Sequence, residues 1–232
     1  IDQVVPSYEM TFGGPILKDR LWFFASGRYQ NNKTNRTTAY TAYNYTYAED
    51  DARLEGKATY ALNARNNFKL SYFKRNVDFT NNSFGTVMDA NSLYNNKNRE
   101  SLLAVGYQWV VTNSLFIDTQ YSARRYDNKG TGESFTDLIQ GTPIWDRLRG
   151  TRFNAATFCA VCSNAVDKKD NDGFYVKANY FLSTKSTGSH SFVAGFDYFD
   201  EMRMNNQNSV ASGYRVQVRQ SVIDGSNVYP IL

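Results

Sequence analysis

The sequence predicts an all-β fold, an antiparallel transmembrane β-barrel section of about 8–9 strands. Three observations point there. Apolar and polar residues alternate through successive runs of about ten residues, the length a tilted strand needs to cross a bilayer. Connections between runs are alternately short and long, the two-sided layout of an outer-membrane barrel. Composition agrees: aromatics make up 16% and only 4 of 232 residues are Pro, which suits strands. The mean hydropathy of -0.56 and the lack of any apolar run near 18 residues exclude a helical membrane protein. So many aromatics also argue against a disordered chain.

The first run, 7–16, sets Tyr8, Met10, Phe12 and Ile16 against Ser7, Glu9 and Thr11. After the turn 17–20, the run 21–30 sets Leu21, Phe23, Ala25 and Tyr29 against Trp22, Ser26 and Arg28. In 52–62, Leu54, Ala58, Tyr60 and Leu62 oppose Arg53, Glu55 and Lys57. In 67–76, Phe68, Leu70 and Tyr72 oppose Lys69, Ser71 and Arg75. The runs 101–111 and 115–124 carry Leu103, Val105, Tyr107 and Trp109, then Leu115, Ile117 and Tyr121. The second of these opposes them with Asp118 and Gln120. In 173–182, Phe174, Val176 and Tyr180 oppose Lys177; in 191–200, Phe192, Phe196 and Tyr198 oppose Asp197. A ninth run is expected at 213–222, with Tyr214, Val216 and Val218. The connections at 17–20, 63–66, 112–114 and 183–190 are short; those at 31–51, 77–100 and 125–172 are long and polar.

A packed core would not accept charges on one face of nearly every strand, whereas a wet lumen would. Arg28, Arg53, Glu55, Lys57, Lys69, Asp118, Gln120 and Lys177 are therefore the candidate lumen-facing residues. Tyr8, Tyr29, Tyr60, Tyr107, Trp109, Tyr121 and Tyr198 end the apolar faces, and such rings favour a membrane interface. The competing reading is a large soluble β-sandwich, in which Tyr also abounds.

The stretch Thr11–Ser26 (TFGGPILKDRLWFFAS) resembles a hairpin near the start of the barrel in TonB-dependent outer-membrane receptors, most closely the Oar-like branch. Gly188–Tyr198 (GSHSFVAGFDY) is similar to a later strand of the same family. The resemblance covers the chain in organisation and about a tenth of it as motif. It implies a Gram-negative outer-membrane location, a barrel of about 22 strands and TonB-coupled uptake of a scarce or large solute. It also implies a plug domain and a TonB box. Neither is recognised within 1–232, so the chain reads as a barrel section of a longer protein. The opening residues lack the charged start and apolar centre of a signal peptide. The expected partners are outer-membrane lipid, the plug and TonB complex through other parts of the protein, an unknown solute and other envelope proteins. The alternative function is a non-transporting surface β-protein with a structural or interaction role.

A net charge of +4 with scattered basic residues gives no sign of a nucleic-acid partner. Cys159 and Cys162 form a CxxC in the long connection 125–172. A local disulfide is favoured there over half of a metal site or free thiols. The single His, His190, lies in a turn, and no catalytic residue, metal ligand or cofactor site is expected. The acidic cluster Asp167, Asp170 and Asp172 lacks the glycine and glutamate of a calcium loop. Tyr40, Tyr43, Tyr45 and Tyr47 in the connection 31–51 are candidate extracellular ligand contacts, with packing between loops as the other reading.

Overall fold

A computed structural model describes residues 5–130, 139–156, 166–204 and 212–231. Eight strands form one antiparallel sheet: β1 (Ser7–Leu17), β2 (Leu21–Thr37), β3 (Asn44–Asn63), β4 (Asn66–Asn82), β5 (Tyr94–Val110), β6 (Leu115–Gly130), β9 (Val166–Thr184) and β10 (Gly188–Met204). Each pairs with its neighbour in chain order, so the sheet is a meander with β1 and β10 at its edges. The predicted runs from 7–16 to 191–200 fall within these strands, except that 101–111 runs one residue past the end of β5.

The register gathers the apolar residues on one face. Directly paired residues share a face, and one row of pairs runs Gly14, Phe23, Ala58, Leu70, Val105, Tyr121, Phe174 and Tyr198 across the whole sheet. A second row, on the opposite face, runs Glu9, Arg28, Arg53, Arg75, Glu100 and Tyr126. Trp22, Phe24, Phe73, Leu102, Phe116, Phe181, Val193 and Phe199 are among the apolar residues that interrupt this face.

The apolar face is a band with aromatic borders. Near the short turns stand Tyr60, Phe68, Tyr107, Trp109, Tyr180 and Phe192; Phe68 and Tyr107 stack with centroids 4.7 Å apart. The other border holds Tyr8, Tyr29, Tyr72, Tyr121, Phe174 and Tyr198. From Leu21 to Tyr29 the band spans about 26 Å along the strand, at roughly 3.3 Å per residue. It runs obliquely to the hydrogen-bonded rows. In β2 it reaches Tyr29, six residues past Phe23, whereas in β10 it ends at Tyr198, on Phe23's own row. Tilted, staggered strands produce such an offset. No second sheet covers the band among the described residues, and Met10, Phe196 and Leu54 stand more than half exposed.

The strands are longer than predicted, reaching 20 residues in β3. They continue beyond the band on the long-connection side, so the expected connections 31–51 and 77–100 shrink to 38–43 and 83–93. Both faces are polar in the β2 extension, Asn31, Lys33 and Asn35 against Asn32, Thr34 and Arg36, whereas β3 and β4 continue with Tyr45, Tyr47, Val77 and Phe79 on the charged face. Apolar periodicity therefore gave no sign of the β2 extension, although the ladder hydrogen bonds continue. Asn side chains link the strands here: Asn82 Nδ2 donates to Asn96 Oδ1 at 3.1 Å, and Asn96 Nδ2 to Asn128 Oδ1 at 3.0 Å.

The expected ninth strand, 213–222, is a correction. It forms no part of the large sheet. Its residues divide between β11 (Val216–Val218) and β12 (Gln220–Asp224). β11 lies parallel to β7 (Ile144–Asp146), which pairs with β8 (Thr151–Phe153), while β12 forms a hairpin with β13 (Asn227–Ile231). Val216 and Val218 alternate as in a long strand, but Val218 is 3% exposed in a small core with Met88 and Phe153. This core draws on the 83–93 connection, the 139–156 segment and the 212–231 segment. They build a cap at the long-connection side of the sheet.

Two glycines in the recognised stretches are required by close approach. A Cβ on Gly13 would stand 2.8 Å from the Phe23 carbonyl oxygen, and one on Gly195 2.7 Å from that of Val176. At Gly14 a Cβ would meet nothing within 4 Å. Gly13→Ala should therefore cost about 1–3 kcal/mol through overpacking and lower the yield of folded protein. Gly14→Ala should be close to neutral. Protease resistance of both variants of the full-length protein checks this; equal behaviour would contradict the β1–β2 register.

Candidate functional site

Charged groups converge on the polar face and in the cap. On the polar face the register brings the candidate lumen residues together. Arg28, Arg53, Glu55, Lys57, Lys69, Asp118, Gln120 and Lys177 all share it. Arg28 pairs with Glu9 at 3.2 Å, and Lys57 with Glu55 at 2.7 Å. Lys177 lies opposite Asp118; the Tyr175 hydroxyl donates to Asp118 Oδ2 at 2.9 Å, and the Lys177 ammonium sits 4.7 Å from the Tyr175 ring centroid.

The centre of the charge network was missed in the sequence because its acids were assigned to long connections. Asp51, 7% exposed, receives Arg53 at 2.7 Å and Arg75 at 2.8 Å. Glu100 stands opposite Arg75 in the register and receives Arg124 at 2.7 Å. Arg28, Arg53 and Arg75 form a row of three cations flanked by Glu9 and Glu100, with Asp51 neutralising the middle. The parity Tyr45, Tyr47, Glu49, Asp51, Arg53 was the available signal, since it continues β3 unbroken.

The candidate tyrosines separate. Tyr45 and Tyr47 belong to β3, and Tyr47 is buried between the Arg36 guanidinium, 3.8 Å from its ring centroid, and Phe79, 6.5 Å away. Tyr47 therefore serves packing. Tyr40 and Tyr43 lie in the 38–43 connection and are exposed, at 61% and 45%. Arg149 of the cap approaches the Tyr40 ring at 5.6 Å. Cys159 and Cys162 lie outside the described residues, and so does their expected disulfide. His190, expected in a turn, lies instead in β10, paired with Leu182; it is exposed, with its Nε2 3.3 Å from the Thr187 hydroxyl. Among the described residues no group of three or more His, Cys, Asp or Glu is placed to hold a metal ion.

The cap is held by two carboxylates. Asp146 is fully buried and accepts from the Ser221 backbone N–H at 3.0 Å, the Ser221 hydroxyl at 2.5 Å and the Arg149 guanidinium at 2.8 Å. Burial would raise its pKa, but the Ser221 hydroxyl and the Arg149 N–H and guanidinium outweigh it and lower the pKa to about 2. Asp89 caps the short turn Ala90–Ser92 and also accepts from the Asn154 N–H at 2.6 Å, joining two loops. Arg152 lies between the rings of Phe84 and Trp145, at 5.0 and 5.8 Å. With Trp145, Arg215 and Val216 it lines a cavity of about 140 Å³ at the surface of the cap. Sequence reading had no means to bring together the two segments, 143–152 and 215–217, that line it.

No protein-family model, curated protein or solved structure matches this chain.

Because Asp146 is ionised in the folded cap down to about pH 2, its contribution is complete above the ordinary carboxylate range and is lost as pH falls from about 4 through about 2. Trp145 fluorescence, read with Trp22 and Trp109 replaced by Phe, should report loosening of the cap across that interval. Asp146→Asn should loosen it already at neutral pH, by about 1–3 kcal/mol. A flat signal from pH 5 to 2 would remove Asp146 as the cap's fastening.

Proposed function

We propose that this chain is a section of an outer-membrane β-barrel of a Gram-negative bacterium, and that the complete protein is a receptor of the TonB-dependent kind, similar to the Oar-like branch. The observation that carries the reading is the exposed apolar band. It has aromatic rings on both borders, runs obliquely to the hydrogen-bonded rows, and is backed by a charged face. Lipid is the partner that such a band lacks: about 25 Å is the height of the apolar zone of outer-membrane barrels. A soluble protein seldom leaves so large an apolar surface uncovered. The charged face then lines the lumen, where plug and solute would meet the Arg28, Arg53 and Arg75 row. The cap forms the exterior end, with Tyr40, Tyr43, Trp145 and Arg152 available for first contact with solute. In this reading the protein moves a scarce or large solute with energy supplied through TonB, and no catalytic step is assigned to it.

A second reading is a barrel that transports nothing and presents the cap to other envelope proteins. It is favoured by the packing of the loops around Met88, Phe153 and Val218, which makes the exterior end a small folded unit rather than a set of free loops. Uptake by cells with and without a working TonB system separates the two readings.

Single cysteines test the membrane assignment. At Phe23, Leu54, Leu70, Val105, Ile117, Val176 and Phe196 they should react with a lipid-confined probe in native membranes. At Arg28, Glu55, Lys57, Lys69, Asp118, Gln120 and Lys177 they should react only with a water-soluble one. Equal labelling of both sets by the lipid-confined probe would refute the barrel.

A further inference from the structure

Immediately beyond the apolar band, on the same face, lies a depression of about 450 Å³ across β4, β5, β6 and β9. Its floor begins at Tyr72 and Ser101, where the band ends, and its walls carry Lys74, Arg99, Arg125 and Lys168. Register places all four cations on the band's face: Lys74 pairs with Ser101, Arg125 also pairs with Ser101 from the other side, and Asp127 pairs with Lys168. Arg99 is tied to Asp78, and Arg125 to Asp172 at 2.9 Å. Among the described residues Lys74 and Lys168 hold no ion pair. Two acids of the lining are otherwise engaged. Glu100 turns to the opposite face to meet Arg124, and Asp170 accepts the Tyr126 backbone N–H at 3.0 Å. Asp127 remains beside Lys168.

We propose that this depression seats the phosphorylated headgroup of an anionic membrane lipid. The inference rests on the barrel reading and adds a specific partner to it. Acyl chains would lie on Leu70, Leu103 and Val105 of the band, and the phosphates would rise between the ammonium groups of Lys74 and Lys168. The two arginines, fixed by their carboxylates, would form the rigid sides. Phosphate gains most from cations that no carboxylate already neutralises, which is why the two lysines carry the prediction. A depression that begins in an apolar band and ends in ammonium groups matches an amphiphile. A free anion would leave its apolar side unused.

The test uses the full-length protein extracted from its native membrane, freed of lipid, and titrated with detergent micelles containing diphosphoryl lipid A. Binding should fall about thirtyfold in Lys74→Gln/Lys168→Gln, from the loss of two headgroup contacts. It should be unchanged in Lys18→Gln, which alters the turn at the opposite end of the band. Micelles of phosphatidylcholine should bind no better than detergent alone, and excess inorganic phosphate should not displace the lipid. Equal binding by the double variant, or equal binding of phosphatidylcholine, would overturn the proposal. Full displacement by inorganic phosphate would assign the site to a free anion and overturn it as well. Cysteines at Leu70 and Val105 are labelled in parallel. If they react with the lipid-confined probe while lipid A is ignored, the headgroup site fails and the barrel stands. If they do not react, both fail.

Discussion

Everything in this fold depends on one register being held through every strand pairing. Side chains in a strand alternate between faces, so a slip of one residue in any pair would move that strand's apolar residues to the charged face. No such slip occurs between Gly14 in β1 and Tyr198 in β10. The irregularities that do occur lie at strand ends, at Pro15/Leu17, Ala61/Asn63 and Phe79/Asn82, outside the apolar band or at its margin. Pro15 sits in an edge strand beside a register irregularity, both settings that tolerate its missing donor. Gly13 and Gly195 let backbones close up where a methyl group would force them apart.

The two faces ask for different surroundings, and the charged one supplies much of its own. In the ion pairs of Asp51 with Arg53 and Arg75 the carboxylate is buried and both guanidinium groups are partly exposed. These pairs contribute modestly to stability and more to fixing where charge stands. The apolar face has no comparable internal answer. Its rings touch within a face, as Phe12 and Phe23 do at 5.9 Å, yet many of its side chains, Phe12 among them, stay exposed. Among the described residues the clustered burial lies in the cap, around Met88, Phe153 and Val218, with Tyr47 and Val77 buried singly on the strand extensions. The cohesion of the large sheet thus comes from its backbone ladder and from whatever covers its band. The cap is the one part with a core of its own.

How much of this was legible follows from where hydrophobic contrast exists. The eight strands could be read because Phe23 against Arg28, or Val176 against Lys177, gives a period of two. The eight candidate lumen residues share a face for the same reason. The β2 extension could not be read, because Asn31–Thr37 is polar on both faces and a ladder between polar faces leaves no apolar trace. Asp51 and Glu100 were lost with the long connections 31–51 and 77–100. The 213–222 segment was misassigned because alternation reports a strand but not its partner or length. Asp146 and Ser221 lie far apart in sequence, and nothing local to either marks the hydrogen bond that joins them. Tyr45 and Tyr47 were grouped with Tyr40 by composition alone, although the first two sit in β3.

The meander leaves β1 and β10 each with a row of backbone donors and acceptors facing outward. Every strand of the large sheet is bonded only to the sheet strands that precede and follow it in the chain, so this sheet has no crossing that fixes its total width. A further hairpin added at either edge would meet the same spacing and the same two faces, and would leave the existing pairs undisturbed. Width in such an architecture is an adjustable quantity that changes two strands at a time. A gene can then lengthen by duplicating one hairpin and still encode a sheet with oily and wet sides in phase.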